Sequence, residues 1–154
     1  MNKGVKGSEK EVKRSEWTNF HSFSLLIFLL FFISCSRDNM CDTPFGAGGA
    51  VDIYQPEFAS LQTVGGTVTI NRGYKGIFIR RTTYSDFVAF ECACPNCHET
   101  RLTPDPDWDG AILRCPDCHS LFETEYGTPL EGSVTSCMLY EYRTYFDGYT
   151  LEIY

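Results

Sequence analysis

The chain has 154 residues, with 13 Lys and Arg against 20 Asp and Glu, and a formal net charge of −7 at pH 7. This length accommodates one domain and a targeting segment. A nucleic-acid backbone is bound by clusters of Lys and Arg, so the acidic balance excludes nucleic acid as an expected partner.

Residues 1–34 are predicted to form a lipoprotein signal peptide. Five basic residues precede an uncharged run from Phe20 to Ser34. Spanning a bilayer takes about 20 apolar residues, whereas this run fits the roughly 7 to 15 residues of a signal-peptide core. The segment Phe32-Ile33-Ser34-Cys35 resembles a bacterial lipobox. Cys35 is therefore predicted to carry palmitate as the first mature residue, so that the exported protein is anchored to a membrane of the cell envelope. An ordinary signal peptide is the alternative.

Residues 35–50 are predicted to form a flexible tether. They contain Asp38, Asn39, Pro44 and the run Gly46-Ala47-Gly48-Gly49, a composition typical of linkers. The folded domain is therefore predicted to occupy residues 51–154.

This domain is predicted to be all-β. Short stretches rich in β-branched and aromatic residues alternate with turn residues, and no stretch after Ser36 shows a sustained apolar period of 3.6 residues. The predicted strands cover residues 51–54, 67–70, 76–81, 87–91, 111–114, 121–125, 138–143 and 150–154.

Two copies of one motif begin 21 positions apart. The first, Cys94-Pro95-Asn96-Cys97-His98, follows a predicted strand, and the second, Cys115-Pro116-Asp117-Cys118-His119, lies between two. Each C-x-x-C turn can direct two thiolates at one ion, and two turns complete a tetrahedral sulfur site. Cys94, Cys97, Cys115 and Cys118 are therefore predicted to hold one metal centre, zinc or iron, the iron forms including a [2Fe-2S] cluster. Such a lobe is of the rubredoxin or zinc-ribbon type.

Each motif also reads C-x-x-C-H, the attachment signature of c-type haem. Two haems would use His98 and His119 as proximal ligands, but the chain after residue 34 has no other histidine. In a metal knuckle, by contrast, the residue after the second cysteine often has a left-handed backbone, which His tolerates. Haem is therefore disfavoured, and a dihaem c-type cytochrome is kept as an alternative.

Three other cysteines follow the predicted signal peptide and Cys35. Cys137 could form a disulfide with Cys92 or with Cys41, and sequence cannot choose between them. Cys92 could also compete as a metal ligand. Disulfides within the C-x-x-C motifs are a further interpretation, since exported compartments are oxidising. A thioredoxin-type catalyst needs a helix after its motif, and no such helix is predicted here.

Several segments between about residue 51 and residue 154 follow the pattern of one family. They are Val64-Gly65-Gly66, residues 73–80, residues 86–90, the two cysteine turns, then Phe122, Gly127, Gly132 and the terminal hairpin. With these residues the chain resembles the Rieske-like lipoproteins of the Bacteroides type. The resemblance implies a Rieske-like small β-sandwich or barrel with a metal-binding lobe.

The cluster-binding pattern of that family is C-x-H in one loop and C-x-x-H-G in the other. Here Cys118 stands where histidine belongs, His119 stands where glycine belongs, and the first loop is C-x-x-C. A Rieske [2Fe-2S] centre has a raised potential because two histidines bind one iron. Four cysteines imply instead a low-potential cluster or a single tetrahedral ion.

No phosphate-binding glycine loop, G-x-S-x-G or H-E-x-x-H motif occurs, so an enzyme is not expected. The sequence predicts a membrane-anchored exported lipoprotein that transfers electrons through an iron or iron-sulfur centre, with a redox or protein partner that it does not identify. A structural zinc-ribbon-type interaction module with no redox role is the alternative.

Overall fold

The computed structural model describes residues 41–154. The predicted signal peptide and Cys35 lie outside these residues. Within them, no helix is both long enough and apolar enough to cross a bilayer. The described residues form ten strands and two short 3-10 helices: β1 (Gly49–Asp52), η1 (Pro56–Gln62), β2 (Thr67–Ile70), β3 (Ile77–Arg81), β4 (Phe87–Glu91), β5 (Thr103–Pro104), η2 (Pro106–Trp108), β6 (Ile112–Arg114), β7 (Leu121–Glu123), β8 (Glu141–Tyr142), β9 (Thr144–Phe146) and β10 (Thr150–Ile153).

The strands form three antiparallel sheets, with orders β1-β10-β9, β2-β3-β4-β8 and β5-β6-β7. The prediction of an all-β domain is confirmed. The antiparallel sheets, with a separate small sheet that carries cysteine turns, are consistent with a Rieske-like β fold.

The four-stranded sheet is buried on both faces, which explains why β3 and β4 are apolar along most of their length. Side chains alternate between the two faces of a strand. Ile77 and Ile79 therefore face one apolar cluster, which includes Leu151 and Ile153 of β10. Phe78, which is opposite Phe90 in the β3–β4 ladder, faces a second cluster. This second cluster includes two of the predicted ligands, Cys94 and Cys115. This face of the central sheet therefore packs against the lobe that carries the cysteine motifs.

Part of the predicted tether belongs to the folded domain. β1 begins at Gly49, and the backbone N–H of Gly46 donates to Tyr142 Oη over 3.2 Å. Cys41 forms a disulfide with Cys137 across a sequence separation of 96 residues. Of the two pairings that sequence left open, the structure has Cys41–Cys137. Residues 41–50 are therefore attached to the domain at both ends.

A buried carboxylate joins the central sheet to the turn that precedes β3. Glu91, fully buried at the end of β4, accepts hydrogen bonds from the backbone N–H groups of Tyr74 and Lys75, both over 2.8 Å, and from Tyr142 Oη over 2.6 Å. A buried polar group without partners would destabilise the fold. These contacts satisfy Glu91 and fix the turn near the first cysteine motif.

Candidate metal centre

Both cysteine motifs form turns with the same backbone pattern. We call residues 94–98 the first knuckle and residues 115–119 the second knuckle. In the first, His98 N donates to Cys94 O over 2.8 Å; in the second, His119 N donates to Cys115 O over 3.0 Å. The second knuckle connects β6 to β7, and the first lies between β4 and β5. The predicted placement of both motifs in turns between strands is confirmed.

The residue after each motif has a left-handed backbone, as expected for metal knuckles. His98 has a φ of 49° and His119 a φ of 58°. Non-glycine residues enter this region with difficulty, and His is one of those that tolerate it. The His98 ring lies over its own turn, with Nε2 2.9 Å from the carbonyl oxygen of Pro95. Both histidines are thus explained by the shape of the turn.

The four predicted ligand sulfurs converge on one point. All four Sγ atoms, those of Cys94, Cys97, Cys115 and Cys118, lie within 4.8 Å of one another. Two contacts cross between the knuckles, Cys94 Sγ to Cys118 Sγ at 3.7 Å and Cys97 Sγ to Cys115 Sγ at 3.8 Å. A metal–sulfur bond of about 2.3 Å gives a tetrahedron with edges of about 3.8 Å. These two separations match such an edge.

The ligand set fits zinc or iron better than two haems. Thiolate sulfur is a soft ligand, and four thiolates in a tetrahedral arrangement are typical of zinc and of iron-sulfur proteins. Attachment of two porphyrins would direct the thiols of each motif at a separate macrocycle. In this structure the thiols of both motifs instead face a common centre.

Burial divides the four thiols into two classes. Cys94 and Cys115, the first cysteines of their motifs, are 0% exposed and belong to the apolar cluster above the central sheet. Cys97 and Cys118, the second cysteines, are half-buried. One side of the site therefore rests on the core, and the other side reaches the surface.

Burial and the backbone N–H groups of the turn have opposite effects on the pKa of the first cysteine of each motif. Burial raises the pKa of the Cys94 thiol, and hydrogen bonds from the N–H groups of Cys97 and Asn96 partly oppose this effect. Burial likewise raises the pKa of Cys115, against the N–H groups of Cys118 and Asp117. Buried thiols in an apolar setting resist ionisation, whereas a bound cation favours the thiolate that ligates it.

Ser120 is a site residue that the sequence analysis missed. It is fully buried, and its Oγ lies 3.2 Å from Cys118 Sγ while it accepts the backbone N–H of Val134 over 3.0 Å. Burial alone would raise the pKa of Cys118, but hydrogen bonds from the Ser120 hydroxyl and N–H and from the thiols of Cys115 and Cys97 lower it to about 6. In the sequence, the one local sign of this role is that a hydroxyl residue stands two positions after Cys118.

Polar contacts hold the loop after the first knuckle. Glu99 accepts hydrogen bonds from Tyr74 Oη over 2.5 Å and from Lys75 Nζ over 2.7 Å, and both donors lie in the turn that Glu91 fixes. Thr100 Oγ1 donates to the carboxylate of Asp117, which joins the loop to the second knuckle. The two knuckles are therefore positioned against each other by contacts between residues far apart in sequence.

Cys92 lies outside the group of four. Its side chain is 0% exposed in the same apolar cluster, and burial raises the pKa of its thiol to about 12. It is not among the cysteines whose sulfurs converge. The suggestion that Cys92 competes as a ligand is therefore not supported by its position.

Two solved structures are among those similar to this chain. One is the "Ferredoxin of carbazole 1,9a-dioxygenase from Nocardioides aromaticivorans IC177", with 13% identity, a TM-score of 0.42, and coverage of 68% of this chain and 96% of that chain. The other is a "Complex of reduced oxygenase and oxidized ferredoxin in carbazole 1,9a-dioxygenase", with 19% identity, a TM-score of 0.40, and coverage of 73% and 94%. No protein-family profile and no curated protein sequence matches the chain.

Proposed function

We propose that this chain is an exported one-electron carrier whose four cysteines hold a single iron ion. The observation that carries the proposal is the convergence of Cys94, Cys97, Cys115 and Cys118 within 4.8 Å. A [2Fe-2S] cluster is bound by two pairs of thiolates on two different irons, so sulfurs of different pairs lie further apart than on one ion. No two of the four Sγ atoms are more than 4.8 Å apart, whichever way they are paired, and this favours one ion.

The chain's own residues provide what such a carrier needs. Iron bound by four thiolates would supply transfer of one electron at a time. The half-buried Cys97 and Cys118 bring the edge of the site to the surface, where a partner protein could approach. Backbone N–H groups of the turns stabilise negative charge on Cys94 and Cys115. The Ser120 hydroxyl, which accepts from the Cys118 thiol over 3.2 Å, does the same for the ionised sulfur of Cys118. Such hydrogen bonds are among the factors that tune the potential of iron-thiolate sites.

Export to the cell envelope and a lipid anchor at Cys35 are part of the proposal. The Cys41–Cys137 disulfide supports export, because disulfides persist in oxidising compartments and are rare in the cytosol. The lipobox-like sequence before Cys35 supports the anchor. The partner would be a redox protein of the same compartment.

A structural zinc site is the second candidate. The observation in its favour is the full burial of Cys94 and Cys115 in the apolar cluster of the lobe. Structural zinc sites are closed and contribute directly to folding. In this case the ion would stabilise the contact between the two knuckles and would have no redox role.

Elemental analysis combined with a visible spectrum tests the proposal. The full chain would be expressed with its own N-terminal segment, purified, and measured before and after addition of dithionite. We expect one iron per chain and visible absorption that bleaches on reduction. Zinc in a colourless protein would establish the structural candidate instead, and two irons with two inorganic sulfides would indicate a [2Fe-2S] cluster. A Soret band that survives denaturation would indicate covalent haem.

A matched pair of variants separates the site from the remaining thiol. Cys97→Ser removes a half-buried ligand, and Cys92→Ala removes the buried thiol outside the group of four. We expect the first variant to lose the metal and the absorption, and the second to keep both. Retention of the metal by Cys97→Ser at the wild-type level would contradict the assignment of the ligands.

A further inference from the structure

We propose that the same four cysteines form a thiol redox switch, in which the metal-free lobe reduces a small disulfide and becomes cross-linked by two disulfides, Cys94–Cys118 and Cys97–Cys115. The inference rests on the proposed function in that these four thiols hold the metal, but it does not depend on whether the metal is iron or zinc. In this switch, metal binding and disulfide formation are alternative ways to join the two knuckles.

The sulfur contacts define one complete pairing. Cys94 Sγ lies 3.7 Å from Cys118 Sγ, and Cys97 Sγ lies 3.8 Å from Cys115 Sγ. A disulfide bond has a length of about 2.05 Å, so each pair must approach by less than about 2 Å. The two contacts use each of the four thiols once. Both of them join the first knuckle to the second.

Burial gives each pair an attacking and a resolving thiol. Cys118 and Cys97 are half-buried, so a small disulfide can reach them, whereas Cys94 and Cys115 are fully buried. Each contact between the knuckles joins one half-buried thiol to one buried thiol. An oxidant would therefore first meet the outer thiol of each pair, and the buried thiol across the knuckle would complete the reaction.

The chain itself shows why such a switch matters. Cys41 and Cys137 form a disulfide, which supports the proposed export to a compartment where disulfides persist. Four thiols within 4.8 Å of one another would not stay reduced in such a compartment unless they were protected. A bound metal ion protects them, because thiolates that ligate a cation are less available to attack a disulfide. Loss of the ion exposes them to oxidation.

The reaction balances with oxidised glutathione as the small disulfide. The thiolate of Cys118 attacks one sulfur of oxidised glutathione and forms a mixed disulfide, which releases one glutathione thiolate. The thiolate of Cys94 then attacks Cys118 Sγ, forms the protein disulfide, and releases the second glutathione thiolate. Each thiol proton passes to a released thiolate or to water. Cys97 and Cys115 react in the same way, so each protein disulfide consumes one oxidised glutathione.

Tryptic mapping of the full chain tests the pairing. Cleavage after Arg81, Arg101, Arg114 and Arg143 places Cys94 and Cys97 in peptide 82–101, and Cys115 and Cys118 in peptide 115–143. Peptide 115–143 also carries peptide 38–72 through the Cys41–Cys137 disulfide, whether or not the knuckles are cross-linked. Purified protein would be stripped with a chelator, incubated with oxidised glutathione, alkylated, and digested without reductant. We expect the two peptides to be covalently joined until a reductant is added, with fragment spectra that show Cys94–Cys118 and Cys97–Cys115, and with Cys92 alkylated only after unfolding.

Three results would overturn the proposal. The first is that peptides 82–101 and 115–143 are not joined to each other and each contains an internal disulfide. The second is the other pairing between the knuckles, Cys94–Cys115 with Cys97–Cys118, and the third is that the four thiols are not oxidised. Metal-loaded protein treated in parallel should not form the cross-link, and an equal rate of cross-linking would also overturn it. Cys92→Ala is the matched control and should cross-link like the wild type. The metal content is measured before chelation, so a zinc-containing protein with the expected disulfides would refute the iron carrier and leave the switch intact.

Discussion

Cys94 Sγ and Cys118 Sγ lie 3.7 Å apart although the two residues are 24 positions apart in sequence. Cys94 is buried against the central sheet, and Cys118 is half-buried beside Ser120. This distance matches the separation of about 3.8 Å between two sulfurs that bind one tetrahedral ion. Any change that removes one of the four sulfurs should therefore affect the whole lobe.

The first prediction concerns the ligands. Cys118→Ser should reduce the bound metal from about one ion per chain to less than about a tenth, because a serine hydroxyl is a poor ligand for a thiolate-selective site. The lobe that contains Phe90, Leu113 and Phe122 should then unfold at a lower temperature than the rest of the domain. Elemental analysis and hydrogen exchange would measure both effects. His98→Gln, which changes an exposed side chain next to the same site, should keep the metal.

The second prediction concerns the left-handed residue of the second knuckle. His119 has a φ of 58°, a conformation that disfavours most side chains by about 1–2 kcal/mol and that glycine adopts freely. His119→Gly should keep the metal and raise the free energy of unfolding by up to about 1 kcal/mol. His119→Val should lower it, since β-branched residues fit this region poorly. Urea unfolding of the metal-loaded proteins would measure both, and equal stability of the two variants would contradict the argument.

The local pattern of the sequence was enough to locate the strands of the central sheet. β2 and β4 coincide with the predicted strands at residues 67–70 and 87–91, because β-branched and aromatic residues there are bounded by turns. β5 was missed, since it has two residues, includes Pro104, and exists through its pairing with β6. β9 was missed because residues 144–146 directly follow the predicted strand at residues 138–143, and no turn residue marks the start of a new strand.

The group of four converging cysteines could be predicted for the same reason, since each knuckle is a local structure set by the spacing of its cysteines. The left-handed conformation of His98 and His119 followed from this turn as well. Tertiary structure decides the rest. Which sulfurs approach across the knuckles, which are buried, and the contact of Ser120 with Val134 depend on packing between distant segments. No local pattern encodes these relationships. The choice between Cys41–Cys137 and Cys92–Cys137 likewise depends on packing between distant segments.

The third prediction concerns the buried hydrogen bond from Tyr142 to Glu91. Tyr142→Phe keeps the ring in the core but removes the donor that lies 2.6 Å from Glu91 Oε2. It should lower the free energy of unfolding by about 1–3 kcal/mol, since a buried acceptor loses a partner. Tyr145→Phe, at an exposed position, is the matched control and should stay within about 0.5 kcal/mol of the wild type. A Tyr142→Phe variant as stable as this control would show that the bond contributes nothing.

The fourth prediction concerns the pH dependence of the turn after β7. Burial raises the pKa of Glu123, but hydrogen bonds from the Thr128 hydroxyl and from the N–H groups of Thr128, Glu125 and Tyr126 outweigh it and lower the pKa overall. A lowered pKa in the folded state means that the carboxylate stabilises the fold above its unfolded-state pKa, and that this contribution disappears as pH falls through the folded-state pKa. Glu123→Gln should therefore be less stable than the wild type at pH 7, and the difference should shrink towards pH 4. Comparing the two proteins at each pH, both metal-loaded, removes the separate effect of pH on metal binding. A difference that does not change with pH would contradict the prediction.

The fifth prediction concerns the membrane anchor, which depends on residues before the described part of the chain. Cys35 follows an apolar run and the small residue Ser34. We expect its thiol to be lipidated and residues 1–34 to be removed, because these features are typical of lipoprotein signal peptides.

In a bacterial host, labelled palmitate should enter the wild type and leave Cys35→Ala unlabelled. Cys41→Ala is the matched control, since it removes a nearby cysteine that pairs with Cys137 and should leave the label in place. Fractionation gives a second measurement. We expect the wild type in the membrane fraction, and we expect Cys35→Ala, which lacks the lipid anchor, to be released from it. Equal labelling of the wild type and Cys35→Ala would refute lipidation at Cys35, and loss of label in Cys41→Ala alone would move the modified residue to Cys41.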